Sequence, residues 1–258
     1  MDFHHPDNIV YFAMMNFASW VIRGAFAFLR VQPHPEREEN MSKFQNAFLQ
    51  RRELTQKLTV SAILIAVAVA IAYISSLVNF FNMPTGGSFT IASTLPIIII
   101  AYMYGAKWGF LSAFVFAVLE ILISWGSVAR IFTPGDSRFQ PLLIAISIIL
   151  LDYIFAYTIL GTAAFARRAQ KKSIALAGGA AIALSLRYLM HIISGALFFG
   201  AHADWLLTEA MIEMYPVAAI SVIYSILYNG IYMIPEIIIT VIAAIGVAHI
   251  KEIRHMDV

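Results

Sequence analysis

The sequence predicts an all-α polytopic membrane protein: a six-transmembrane-helix bundle preceded by an extra N-terminal hydrophobic helix. Hydrophobic residues make up 60% of the 258 residues, whereas charged residues make up only 12%. Several apolar runs exceed the roughly 18 residues that a helix needs to cross a bilayer. Short polar loops separate these runs. This pattern excludes a soluble domain and indicates several membrane-crossing helices joined by short connections.

Charge and cysteine content exclude several classes of function. The formal net charge is +2, and the basic residues lie beside the apolar runs rather than in one tract, so no nucleic-acid partner is expected. The chain has no cysteine, which excludes disulfides, thiolate catalysis and cysteine-ligated metals. No basic segment followed by a small-residue cleavage site opens the chain, so we expect no removable signal peptide.

Residues 1–40 differ from the rest of the chain. Residues 8–29 are apolar enough to form a helix, although Arg23 interrupts them, and 34–39 read as a polar linker that contains proline. This N-terminal extension could be an extra span, an interfacial helix or sequence outside the functional module. We expect residues 41–258 to form the six-helix membrane domain.

Six spans are expected in that domain. Their ranges, in order, are 58–80, 91–104, 108–125, 141–166, 174–199 and 216–248. The second is short, so it should be tilted or begin in the interface. A stripe of small side chains runs along the first span at i, i+4 and i+8, which would let another helix approach closely, although it also fits ordinary alanine-rich composition. The stripe consists of Ala62, Ala66 and Ala70.

The connections carry turn and charge signals. Residues 82–90 hold a proline and a pair of glycines, and 133–136 read Thr-Pro-Gly-Asp, so both segments should form turns or loops. Residues 200–215 contain acidic side chains but neither lysine nor arginine. In the last span, Pro235 should kink the helix, and Glu236 should capture backbone groups that the kink frees.

The distribution of lysine and arginine predicts the orientation. Lysine and arginine flank the spans just before the first, between two and three, between four and five, and after six. These residues are Arg51, Arg52, Lys57, Lys107, Arg167, Arg168, Lys171, Lys172, Lys251 and Arg254. The opposite loops hold only Arg130 and Arg138. By the positive-inside rule, both ends of the six-helix module should be cytoplasmic, and loops 80–90, 126–140 and 200–215 should face outward.

The fifth span carries two basic side chains at membrane depth. Arg187 and His191 are spaced i, i+4, so both project from one side of the helix. Ionisable groups at this depth are costly and usually face a protein interior or a wet cavity, which makes this side a candidate site. In the alternative interpretation, Arg187 reaches the membrane interface and His191 is a packing residue.

Polar side chains on the last three spans should meet in one cavity. Asp152 and Tyr153 lie on the fourth span, His191 on the fifth, and Tyr224 and Asn229 on the sixth, at comparable distances from the outer ends. A carboxylate, an imidazole, phenols and a carboxamide that converge are typical of a small-molecule pocket. Burying an unpaired carboxylate costs roughly several kcal/mol of desolvation free energy. A cation should therefore pair with the Asp152 carboxylate, and this cation is either the internal Arg187 or a bound ligand.

At these residues the chain resembles the substrate-binding S components of energy-coupling factor (ECF) vitamin transporters, specifically the thiamin-specific members. The resemblance covers about residues 41–258. Its motifs are Leu186–Gly195 on the fifth helix, the acidic-Tyr pair Asp152-Tyr153, the Tyr224–Gly230 segment, and residues 86–91 with Pro96. The alanine stripe resembles the surface by which S components dock on the transmembrane coupling subunit.

The resemblance implies a function and its partners. It implies a high-affinity thiamin-binding subunit of an ECF-type ABC importer in the bacterial cell membrane, partnered by a coupling subunit and two ATPase subunits. It implies no enzyme activity, cofactor or metal. Asp152 would attract the cationic thiazolium of thiamin, and four other side chains would hydrogen-bond or stack. These four are Tyr153, His191, Tyr224 and Asn229.

Two more residues are included among the expected substrate-binding residues. Phe199 lies where thiamin binders present a tryptophan, and Glu120 is an additional intramembrane acid. Asp152 is also one methylene shorter than the family's usual glutamate. A related cationic or aromatic heterocycle therefore remains an alternative ligand.

Two other classes of function compete with this interpretation. A stand-alone secondary transporter could relay protons through Glu120, Asp152 and His191, although the sequence shows no clear two-half repeat. An intramembrane enzyme is disfavoured, because His-Glu-x2-His and Gly-x-Ser-x-Gly motifs are missing. The chain also lacks a phosphate loop for ATP, so hydrolysis would have to occur on a partner.

Overall fold

A computed structural model describes residues 35–77 and 90–250, together with Asn16 and Ser19. The described residues form helices, turns and loops without a strand, and the predicted all-α polytopic fold is confirmed. The predicted helix at 8–29 lies outside the described residues except for Asn16 and Ser19. Most of the loop at 82–90 and the basic residues after 250 also lie outside them. The chain divides into two compact units, residues 1–55 and 56–258.

Nine α-helices follow one another along the described chain: α1 Pro35–Ser76, α2 Leu95–Tyr104, α3 Ala106–Ile123, α4 Trp125–Arg130, α5 Leu142–Ile149, α6 Ala156–Thr158, α7 Lys172–Phe198, α8 Glu209–Met214 and α9 Val217–Val247. A π-helical segment, Leu150–Phe155, joins α5 to α6, and 3-10 segments occupy Ile159–Arg168 and Gly200–Trp205.

Five helical stretches are long and apolar enough to cross a membrane: Lys43–Ser76, Ala106–Ile123, Leu142–Arg168, Lys172–Phe198 and Val217–Val247. Helix α2 is the shorter sixth member of the bundle. Its 10 residues rise only about 15 Å, which is about half of a bilayer core. The expected short second span is therefore present, and it begins at residue 95 rather than 91.

The prediction of a linker at 34–39 is wrong from Pro35 onward, since that residue begins the 42-residue helix α1. Proline is favoured in the first helical turn because its missing N–H has no helical partner there. The glutamates and arginine that follow are good helix formers, and their helix propensity favours a helix over a linker here. Helix α1 passes through residue 40 without a break, and the functional boundary at 40/41 stays a prediction.

Helix α2 lies in the apolar core of the second unit. Its sequence Leu-Pro-Ile-Ile-Ile-Ile is apolar on all sides, and such a helix is expected to be buried all round. Ile97, Ile98 and Ile100 are fully buried. Helix α3 crosses the 3-10 segment Ile159–Arg168 closely, because a Cβ on Gly161 would lie 2.6 Å from the Phe110 backbone nitrogen. Glycine therefore permits this crossing.

Helices α7 and α9 form the most extensive helix pair of the bundle. Side chains of one helix donate to backbone carbonyls of the other: Tyr188 Oη to Ile226 O at 2.6 Å, and Ser225 Oγ to Ile192 O at 2.8 Å. Gly195 lies at the same seam, where small residues let helices approach closely. These contacts hold the polar faces of α7 and α9 in a defined register.

Candidate functional site

Asp152 lies in the π-helical segment Leu150–Phe155 that interrupts the fourth span. Such segments are rare, occur frequently at functional sites, and change the direction of the side chains they carry. The Asp152 carboxylate accepts a hydrogen bond from Ser194 Oγ at 2.7 Å and lies 2.9 Å from His191 Nδ1. Its side chain is 19% exposed. The carboxylate is therefore held by α7 and still open on one side.

His191 has one ring nitrogen that is hydrogen-bonded to the protein and one that is not. An ionised carboxylate only accepts hydrogen bonds, so the contact with Asp152 requires a proton on Nδ1. Nε2 is buried and has no hydrogen-bond partner among the described residues. In the neutral imidazole, Nε2 is thus an acceptor available to a ligand donor. The Tyr232 ring meets the imidazole edge-to-face at 5.9 Å and helps to fix its plane.

Asn229 lies beside this pair and holds the backbone of α7. Its Nδ2 donates to the His191 carbonyl at 3.2 Å and to the Ser225 carbonyl at 2.8 Å, and Tyr232 Oη donates to its Oδ1. Both ends of the carboxamide are therefore engaged by protein groups. Asn229 therefore helps to position His191, and its contact with a ligand stays a prediction.

Aromatic side chains line the neighbouring region. Tyr224 is buried and its ring lies 5.4 Å from that of Tyr228. Phe199, at the C-terminal end of α7, packs against the apolar cluster that contains both tyrosines. Tyr153 is partly buried and its hydroxyl hydrogen-bonds to Ser124. These rings provide faces on which a planar or cationic group could stack.

A second polar cluster is buried in the membrane-spanning part of the bundle. Arg187 donates from Nη1 to Glu236 Oε1 at 2.7 Å and from Nη2 to Tyr157 Oη at 2.9 Å. Glu120, 4% exposed, lies within electrostatic range of these three groups. Glu120 Oε1 and Glu236 Oε2 have no hydrogen-bond partner among the described residues.

This cluster decides between two alternatives for Arg187 and corrects one expectation for Glu236. Arg187 pairs with Glu236 and not with Asp152, because the i, i+4 spacing places it about 6 Å along the helix axis from His191, on the level of Glu236. The predicted capture of backbone groups by Glu236 is wrong, since its one bonded oxygen accepts from Arg187. Within the described part of the structure, Asp152 has Ser194 and His191 as its hydrogen-bond partners and no arginine partner, which is compatible with a cationic ligand.

The structure brings together most, but not all, of the predicted site residues. Asp152, His191 and Asn229 belong to one hydrogen-bonded group, whereas Glu120 lies with the Arg187–Glu236 pair. Sequence reasoning left Ser194 and Tyr232 without a role. Each lies three residues after an assigned site residue on the same helix, and this i, i+3 spacing was the signal that could have identified them.

The predicted stripe of small residues on α1 faces away from the core. All three of its members are exposed, whereas Ala68 and Ala72 are buried. Trp108 Nε1 donates to Ser61 Oγ at 2.7 Å and attaches α3 to the buried side of α1. The stripe is therefore uncovered by the described residues. Its members are Ala62, Ala66 and Ala70.

The chain matches the model of the thiamine transporter protein family (Thia_YuaJ) over residues 62–255. It belongs to this family. Family members are transporters rather than enzymes, and the chain is a multi-pass membrane protein. The family identified from the sequence is therefore confirmed. The match begins within α1, after residues 35–61.

Two relatives extend this comparison. The chain is 29% identical over 191 residues to the thiamine transporter ThiT of Bacillus subtilis, covering 70% of this chain and 84% of that protein. It also resembles the solved structure of ThiT from Listeria monocytogenes, with a TM-score of 0.50 and 19% identity over 74% of this chain and 97% of the other. The structural likeness supports the six-helix fold.

Proposed function

We propose that the chain is the thiamin-binding S component of an ECF-type ABC importer, and that Asp152 and His191 form the centre of its site. The observation that carries the proposal is the Asp152–His191–Ser194 group. It combines a partly exposed carboxylate with a buried imidazole nitrogen that has no hydrogen-bond partner in the described part of the chain. Membership of the thiamine transporter family supports the identity of the ligand.

The chemistry of thiamin fits this arrangement. Its thiazolium is a permanent cation, which the Asp152 carboxylate would attract in a medium of low dielectric constant. The amino group of its pyrimidine would donate to His191 Nε2. The rings of Tyr153, Tyr224 and Phe199 would contribute about 0.5–2 kcal/mol each where they stack on the cation. Ser194 and Asn229 would keep the carboxylate and the imidazole in place.

Transport itself would need partners. Because the sequence carries no ATP-binding phosphate loop, a membrane coupling subunit and two ATPases would supply the energy. The exposed face of α1 formed by the alanine stripe would dock on the coupling subunit. With both ends of the module cytoplasmic, the vitamin would enter from the outer face.

Titration of the purified protein with thiamin, followed by its intrinsic fluorescence, tests the site. Asp152→Asn should weaken binding about 10- to 150-fold, because a charge-assisted contact contributes about 1.5–3 kcal/mol. The matched control is Asp204→Asn, since Asp204 is exposed in the segment Gly200–Trp205. Equal thiamin affinity for wild type and Asp152→Asn would contradict the assigned site.

Reconstitution into liposomes separates this proposal from the alternatives. We expect thiamin uptake only with the coupling and ATPase subunits and with ATP. Uptake by the chain alone that a proton uncoupler abolishes would favour a secondary transporter that relays protons through Glu120, Asp152 and His191. Saturable binding of another heterocyclic vitamin or precursor, without binding of thiamin, would assign a different ligand.

A further inference from the structure

Glu120 is a buried acid outside the Asp152–His191–Ser194 group. It lies near the C-terminal end of α3, inside a membrane-spanning helix, and is only 4% exposed. Ionisable side chains at such depth are rare, because an unpaired charge is costly both in lipid and in a protein core. The positive charge that balances Glu120 must therefore be identified.

The neighbours of Glu120 come from three other parts of the bundle. Arg187 on α7 donates from Nη1 to Glu236 Oε1 at 2.7 Å and from Nη2 to Tyr157 Oη at 2.9 Å. The Tyr157 hydroxyl in turn hydrogen-bonds to Glu120. Arg187 thus contacts Glu236 directly, whereas a neutral phenol lies between Arg187 and Glu120.

No second cation faces Glu120 in the described part of the bundle. Tyr153, from the π-helical segment, lies within electrostatic range of Glu120 and contributes a phenol. Helix α2 packs against α3 and has no charged side chain in its sequence Leu95–Tyr104. Arg187 is the cation that acts on Glu120 in these surroundings.

The charges of this cluster do not balance if both acids are ionised. Two carboxylates and one guanidinium would leave a net negative charge on residues that are 0–4% exposed, which is strongly unfavourable. Two of the carboxylate oxygens, Glu120 Oε1 and Glu236 Oε2, are buried without a hydrogen-bond partner among the described residues. The cluster therefore requires one more positive charge beside these oxygens.

A proton is the cation that fits best. It needs a single carboxylate oxygen, whereas a metal ion needs a shell of several oxygen ligands. Glu236 is the direct partner of Arg187, so its ionised form is stabilised by that contact. Glu120 has a phenol as its partner, and it loses less when it becomes a neutral acid.

We propose that Glu120 is a proton-binding site, which holds one proton in the folded protein at neutral pH and makes the cluster of Glu120, Tyr157, Arg187 and Glu236 neutral overall. The proton is a resident part of the fold and is released to water when the chain unfolds. This inference goes beyond the proposed function and does not depend on the identity of the ligand.

Thermal melting of the purified, ligand-free chain in detergent tests the site. Glu120→Gln replaces the protonated acid with a neutral side chain of the same shape. Because folded wild type would bind one proton more than the unfolded chain, its stability should fall relative to the variant as the pH rises. The difference between their melting temperatures should change by at least about 3 °C in favour of the variant from about pH 5 to about pH 8.

Glu213→Gln is the matched control, since Glu213 is exposed on α8, and it should follow wild type over the same range. A difference between wild type and Glu120→Gln that does not change with pH would overturn the proposal. So would a difference that favours wild type at the higher pH, because that result means an ionised Glu120. If Glu120→Gln does not fold, Glu120→Leu carries the same test.

Infrared spectra provide a direct readout, since the C=O stretch of a protonated carboxylic acid is separate from the bands of carboxylates. Wild type at neutral pH should show such a band, and Glu120→Gln should lack it. The same spectrum for both proteins would overturn the proton site. Stabilisation of wild type by sodium chloride but not by choline chloride, lost in the variant, would also overturn it and assign the site to a metal ion.

Discussion

At the scale of single residues, the buried polar groups divide into two sets with different partners. Asp152 accepts from Ser194, contacts His191 and keeps 19% of its side chain exposed, as expected of a carboxylate that binds a cationic ligand. Arg187 and Glu236 instead satisfy each other directly, at 3% and 0% exposure. Because removing one member of such a pair leaves an uncompensated charge, we expect the second set to determine stability more than affinity.

Substitution within the Arg187–Glu236 pair tests this division. Arg187→Met should lower the free energy of unfolding by about 3–5 kcal/mol, since the Glu236 carboxylate loses its partner. The double variant Arg187→Met with Glu236→Leu should be less destabilised than either single variant. Thermal melting in detergent measures this, and additive losses in the double variant would show that the two groups do not interact.

At the scale of elements, the seam between α7 and α9 determines where the site residues lie. Ser225 and Asn229 donate to backbone carbonyls of α7 within one turn of His191. Gly195 makes this possible, because a Cβ there would meet Ser225 Oγ and lie 3.0 Å from Asn229 Nδ2. Glycine is required at this position for close approach and not for its backbone conformation.

Gly195→Ala should therefore push the two helices apart and reduce thiamin affinity about tenfold, because overpacking of a close contact costs about 1–3 kcal/mol. Gly246→Ala on α9 is the matched control, since nothing lies within 4 Å of a Cβ built there. That substitution should preserve binding and could stabilise the helix by up to about 1 kcal/mol. Equal thiamin affinities of the two variants would contradict the role of the seam.

At the scale of the whole molecule, the proposed binding site and the proposed docking stripe lie on different spans of the bundle. The residues of the candidate site come from the fourth, fifth and sixth spans, whereas the alanine stripe lies on the first span with its members exposed. A large side chain in the stripe should therefore obstruct a partner without disturbing the ligand. The family model begins at residue 62, so it includes the stripe.

Ala66→Trp should abolish or strongly reduce ATP-driven thiamin uptake by the reconstituted complex, because the indole would prevent close helix approach. Thiamin binding by the isolated variant should stay at the wild-type level. Leu122→Trp on α3 is the control, since Leu122 is also exposed, at 61%, but lies off the stripe. Uptake at the wild-type rate with Ala66→Trp would exclude this face as the docking surface.

The sequence by itself determined the membrane class, the positions of the six apolar segments and the family. These follow from local composition and from motifs such as Asp152-Tyr153, because a bilayer requires each span to satisfy its own backbone and to be apolar. It also indicated that polar residues on the last three spans belong together. The helical continuation through Pro35 was missed, since proline signals either a break or a helix start.

Only the tertiary structure decided which polar groups are partners. Periodicity places Arg187 and His191 on one side of α7, but it cannot show that the first meets Glu236 and the second meets Asp152. Those choices depend on the relative height and rotation of three helices, and on the π-helical segment that redirects Asp152. Pairing across helices is set by packing between segments far apart in the chain, which no local pattern encodes.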